Sequence, residues 1–146
     1  MNKLLRVLLI IQTLFLGITA LLGGLALITG WNSPPLSELN GSVFKNFTIP
    51  GVSLFLIVGG SGFCAAVSLF RKNQFANLLS IAAGAVIMFF EFVEVLTIGS
   101  PPGAARTLQI VYFGLGFIII ITALAVRFME ITANQTSPKT VSSFKE

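Results

Sequence analysis

Four long apolar runs, separated by short polar breaks, take up most of the chain. They cover residues 7–29, 49–70, 75–98 and 107–126. Each is as long as a helix must be to cross the ~30 Å hydrocarbon core of a bilayer at ~1.5 Å per residue. The breaks hold the helix-stopping residues. Residues 31–48 contain Pro34, Pro35, Asn40 and Gly41, Arg71-Lys72-Asn73-Gln74 is a tight basic turn, and Gly99-Ser100-Pro101-Pro102-Gly103 separates the third run from the fourth. The pattern predicts an all-α fold, a four-transmembrane-helix bundle over residues 1–129. Residues 130–146 read as a polar, disordered cytoplasmic tail.

The third run departs from a plain membrane span. It carries Glu91 and Glu94 near its end. An ionised carboxylate in hydrocarbon is costly, so such residues face a bundle interior, find a partner or are protonated. Three residues apart, the two acids share a helix face. Ser80, Gly84, Ile87 and Ile98 lie on the same face. Counting back from Ile98 at ~1.5 Å per residue, Glu94 lies about 6 Å deep and Glu91 about 10 Å deep.

The first run follows Lys3 and Arg6, so a cleavable signal peptide with a cut after Ala20 or Ala26 is a competing reading. The run is longer than the ~7–15 residues of a signal core, and an uncleaved first span is expected. Gly17, Ala20 and Gly24 give it a small-residue face. The second run holds the pairs Gly60/Cys64 and Gly62/Ala66, and with Ser80 and Gly84 of the third run these are the expected helix-packing positions. Pro50 falls in the first turn of the second helix, where its missing N–H is harmless. Trp31 stands where an interfacial aromatic is expected. Phe44 and Phe47 are expected to dip onto the bilayer surface or cap the bundle.

Composition sharpens this picture. Of 146 residues, 55% are hydrophobic and only 10% charged, against roughly 25% charged in soluble domains. Mean hydropathy is +0.94. The net charge is +4, but the basic residues flank apolar runs rather than forming a nucleic-acid face, and no nucleic-acid partner is expected. Seven of the nine Lys and Arg residues (Lys3, Arg6, Arg71, Lys72, Arg127, Lys139 and Lys145) fall on the side of the termini, leaving Lys45 and Arg106 opposite. The positive-inside rule then places both termini in the cytoplasm, with the chain multi-pass in a cell inner membrane.

The candidate chemistry is a cluster near the outer surface. Gln109 and Tyr112 lie early in the fourth run, which returns inward from that surface, at a depth similar to the acids. Arg106 sits at the rim as a possible ion-pair partner of Glu94. The expected site is therefore Glu91, Glu94, Gln109 and Tyr112, with Arg106. Two readings compete. In one, a proton- or cation-linked binding or transport module, Glu91 exchanges a proton or holds a cation, Glu94 tunes it, and Gln109 and Tyr112 orient the pair. In the other, the cluster is a structural polar network in a non-catalytic accessory subunit, whose small-residue faces dock another membrane protein or a second copy. Asn or Gln would fix helix register more cheaply than two adjacent acids, which is the argument for the first.

Other chemistry is excluded on residue content. With no His and no Asp, ordinary zinc, haem or di-iron ligation is not expected, and neither is any other metal or cofactor. A Ser-His or Cys-His nucleophile is impossible. The single cysteine, Cys64, excludes an internal disulfide and a two-cysteine redox motif. An enzyme is the least supported class.

The segment Val43-Phe44-Lys45-Asn46-Phe47-Thr48-Ile49-Pro50-Gly51, taken with Glu94, Leu108-Gln109, Tyr112 and Gly114, resembles an uncharacterised family of small bacterial four-span integral membrane proteins. The resemblance spans nearly the whole chain. It implies four spans in a bacterial inner membrane and carries no activity with it. A weak internal echo accompanies it: Ile28-Thr29-Gly30 before Pro34-Pro35, and Thr97-Ile98-Gly99 before Pro101-Pro102. Two helical hairpins duplicated in parallel would give this pattern, as would chance.

Overall fold

The computed structural model describes residues 3–31 and 33–136. These form four long helices: α1 (Lys3–Thr29), α2 (Thr48–Phe70), α3 (Ala76–Thr97) and α4 (Ala104–Thr136). All four are long and apolar enough to cross a membrane. A short 3-10 helix, Leu36–Leu39, lies in the first connection. The chain runs up and down in sequence order. α1 packs on α2 and α4, and α3 packs on the same two helices. One end of the bundle carries Arg6, Arg71 and Lys72 and is called the basic end here. The other carries the connections 30–47 and 98–103 and is called the loop end.

The helix ends follow from local chemistry. α1 and α3 are each followed within two residues by a glycine in the left-handed region, Gly30 at φ 74 and Gly99 at φ 92, a conformation open to glycine at little cost. After α3, the amides of Ile98 and Gly99 both turn back to the Glu94 carbonyl, at 2.8 and 3.3 Å. α2 ends without a glycine. Lys72 takes φ 52, and the Asn73 amide reaches back to Ser68 O at 3.0 Å. Arg6 donates to the Leu69 carbonyl, satisfying one of the acceptors a helix C-terminus leaves open.

The core is narrow because the helices touch backbone to backbone. A Cβ on Gly17 would stand 2.9 Å from Phe63 N, and one on Gly62 2.9 Å from Gly17 N. One on Gly24 would stand 2.6 Å from both Gly51 O and Phe55 N. These contacts fasten α1 to α2. Gly84 and Gly116 do the same for α3 and α4, where a Cβ on Gly84 would meet Gly116 O at 2.6 Å. The first hairpin and the second are thus closed by the same device. Around these contacts lie Leu9, Leu16, Ala20, Val58, Ala65, Ala83, Ile87, Ile119 and Ala123, all buried, with Ala66 beside them. Buried hydroxyls are satisfied within their own helices. Thr13 donates to Leu9 O and Ser80 to Ala76 O, each at 2.8 Å, the usual back-bond of a helical Ser or Thr.

The exterior is as apolar as the interior. Only 28% to 33% of each apolar window is buried within the protein. Phe89, Ile110 and Leu22 are each 60% or more exposed. Such a surface suits hydrocarbon and not water, so the architecture is that of a multi-pass membrane protein.

Two expectations need correcting, and α2 holds one feature that the pattern did not predict. The Gly60/Cys64 pair is not a packing contact. A Cβ on Gly60 would meet nothing within 4 Å, and Cys64 is exposed, because both lie on the side of α2 turned away from the bundle. The fourth helix does not end near Val126 but runs on to Thr136. Glu130 accepts a 2.9 Å hydrogen bond from Asn77 at the start of α3 and so ties the added turns to the bundle. The rest of the expected tail, 137–146, lies outside the described residues. Finally, α2 is not a uniform α-helix, since Leu54–Gly59 is wound as a π-helix.

The glycine contacts give a contrast that can be measured. Gly84→Ala pushes a methyl group into the Gly116 carbonyl and should destabilise the bundle by about 1–3 kcal/mol. Gly60→Ala enters open space and should be neutral to within about 0.5 kcal/mol. Equilibrium unfolding in mixed micelles compares the two directly.

Candidate functional site

The helices are fastened along most of their length but spread at the loop end. There a cavity of about 290 Å³ lies among α1, α3, α4 and the two connections. Its floor and walls include Ala20, Gly23 and Leu27 of α1, Phe90 of α3, and Leu108 and Tyr112 of α4. The connection 33–47 adds Pro34, Glu38 and Phe47 to its lining. Leu39 and Phe47 are buried, at 5% and 8% exposure, and pin that connection to the bundle. Phe47 thus caps the bundle.

Three carboxylates line this cavity: Glu91, Glu94 and Glu38. Glu91 is buried on the face of α3 that carries Ser80, Gly84 and Ile87, Glu94 lies half-buried one turn on, and Phe89, Phe92 and Leu96 point outward. Glu91 is 6% exposed, and its carboxylate accepts no hydrogen bond among the described residues. Glu94 accepts one, from Gln109 Nε2 at 3.0 Å. The same Gln109 nitrogen donates to Gly99 O at 3.1 Å. One amide therefore joins α4 to the acid and to the end of α3. Gln109 is 5% exposed, and its Oε1 is buried without a partner. Tyr112 forms part of the wall but makes no hydrogen bond to either acid.

Arg106 is not part of the acid site. Its guanidinium turns to Ser100, with Nη2 2.6 Å and Nε 3.2 Å from the Ser100 carbonyl oxygen. The expected pair with Glu94 does not form, because the guanidinium is taken up by Ser100 in the 98–103 connection. No Lys or Arg among the described residues lines the cavity. No three His, Cys, Asp or Glu side chains among the described residues are placed to hold a metal ion.

Glu38 is the residue that sequence reasoning passes over. It sits in a polar connection, where acids are ordinary, and enters the cavity because the Leu36–Leu39 turn folds over the bundle with Leu39 buried beneath it. The available signal was slight: it is the only charged residue between Arg6 and Lys45.

Comparison with protein-family models, curated proteins and solved structures gives no match for this chain. The geometry alone carries the functional argument.

Gln109 and Arg106 can be separated by experiment. Gln109→Leu strips Glu94 and the Gly99 carbonyl of their donor and should cost about 1–3 kcal/mol of stability. Arg106→Ala removes an exposed side chain bonded to Ser100 in a loop and should stay within about 0.5 kcal/mol. Unfolding midpoints of the two variants test this.

Proposed function

We propose that the protein is a multi-pass inner-membrane protein that binds a cationic group in the acid-lined cavity, as a proton- or cation-linked small-molecule binding or transport module. The observation that carries the proposal is the charge balance of the cavity. Among the described residues, three carboxylates line it without any Lys or Arg, and the deepest, Glu91, accepts no hydrogen bond. A polar network built only to fix helix register would be internally satisfied. This one lacks donors at Glu91 and has a spare acceptor at Gln109 Oε1. The missing elements are positive charge and N–H or O–H donors, which a proton, a hydrated cation or an ammonium group supplies.

In this reading Glu91 exchanges the proton or holds the cation, Glu94 tunes it, and Gln109 fixes Glu94. The cavity lies at the end opposite Arg6, Arg71, Lys72 and Arg127, so a cytoplasmic basic end would open it toward the outer side. The resemblance to small bacterial four-span proteins supports the inner-membrane placement.

The accessory-subunit reading loses its main surface. The glycine faces of α1 and α2, expected to dock a partner, are used up against each other at Gly17/Gly62 and Gly24/Gly51.

The test is a Glu91→Gln variant in proteoliposomes enclosing a pH-sensitive dye, challenged with sodium, potassium and methylammonium ions. Wild-type protein should give a saturable response to at least one of these, and the variant should lose it at unchanged expression. Identical responses from the two proteins would overturn the assignment.

A further inference from the structure

Glu94 borders two spaces. Besides the acid cavity, it lines a groove of about 500 Å³ between α2 and α3. The two spaces share Pro50, Phe90, Glu94 and Ile98 as a common wall. The groove arises because α2 and α3 touch near the basic end while the first turns of α2, Thr48–Ser53, lie clear of α3. It begins under Phe44 and reaches Ala85. From Glu94 to Ala85 is nine residues, about 13 Å along the helix.

The lining of this groove is apolar except for Ser53, Thr97 and Glu94, and the Thr97 hydroxyl is committed to Val93 O at 2.8 Å. Ile57 and Phe89 on its flanks are 58% and 69% exposed, so the groove opens sideways onto the apolar exterior. One end is thus built for hydrocarbon and the other for positive charge. No Lys or Arg among the described residues lines either space. A quaternary ammonium ion would neutralise Glu94 but offer it no N–H donor. A primary ammonium ion does both.

We propose that the groove seats the apolar body of an amphiphilic primary amine, entering from the plane of the membrane, with its ammonium head against the Glu94 carboxylate at the groove's end. The volume falls within the usual range of small-molecule sites. This inference rests on the cation-binding reading of the cavity and adds the ligand's chemical class and its route of entry.

The test uses the full chain in phosphatidylcholine nanodiscs, with dodecylammonium carrying a diazirine at the chain end. Binding of radiolabelled methylammonium is measured in parallel by equilibrium dialysis. Photolabel should fall on Ile57 and on the segment from Ala85 to Phe89. Dodecylammonium should compete it away, whereas dodecanol and dodecyltrimethylammonium should compete about tenfold less well or worse. Glu94→Gln should cut the labelling by a similar factor. Ala85→Phe, at an exposed position that fills the groove without entering the core, should abolish groove labelling and leave methylammonium binding intact. If methylammonium binds but the photolabel falls on outward positions such as Phe92 and ignores Ala85→Phe, the groove assignment is overturned and the cavity reading stands. If no amine binds saturably, both are overturned.

Discussion

Two carboxylates in an otherwise apolar helix constrain everything around them. Hydrocarbon offers no hydrogen bonds and little dielectric screening, so Glu91 and Glu94 must be kept away from it by protein. α3 meets this demand by sorting its faces. Phe89, Phe92 and Leu96 point outward, Glu91 lies on the buried side with Ser80, Gly84 and Ile87, and Glu94 lies half-buried one turn on. The remaining three helices and the capping connection supply the shelter. Removing any one of them would open the acids to lipid.

The glycine contacts make that shelter possible without a large core. At Gly17/Gly62, Gly24/Gly51 and Gly84/Gly116 the backbones are so close that a single methyl group would not fit. Such close approach lets dispersion and short-range packing hold helices in a solvent as apolar as they are. It also leaves little interior volume where the contacts lie. The cavity and the acids that line it lie at the loop end. The π-helix Leu54–Gly59 lies beside this region, with Leu54 on the cavity and Ile57 on the groove. Such local unwinding is often found next to functional sites.

Much of the fold was legible because a bilayer-length apolar run is a strong signal. The existence of four helices and the shared face of Glu91, Glu94, Ser80, Gly84 and Ile87 follow from length and a period of 3.6 alone. The meeting of Glu94 with Gln109 followed from the short connection between α3 and α4. What could not be read depends on which side of a helix meets its neighbour. Gly60/Cys64 and Gly62/Ala66 have the same spacing, yet only the second faces inward. Gly51 and Gly116, absent from the expected packing set, matter only because Gly24 and Gly84 lie opposite them. Arg106 had two acceptors within reach and took the carbonyl of Ser100. Glu38 enters the site through a loop conformation, for which periodicity gives no rule. The added turns of α4 depend on a tie from Glu130 to Asn77, residues distant in the chain.

The central claim is that the acidic face of α3 lines a polar space inside the bundle while the opposite face meets lipid. Cysteine accessibility tests this most directly. In a Cys64→Ser background, Glu91→Cys, Glu94→Cys and Phe92→Cys would each be exposed in intact membrane vesicles to a membrane-impermeant thiol reagent. The account predicts modification at positions 91 and 94, from the side opposite the basic end, and none at 92. Modification at 92 with protection of 91 and 94 would contradict it.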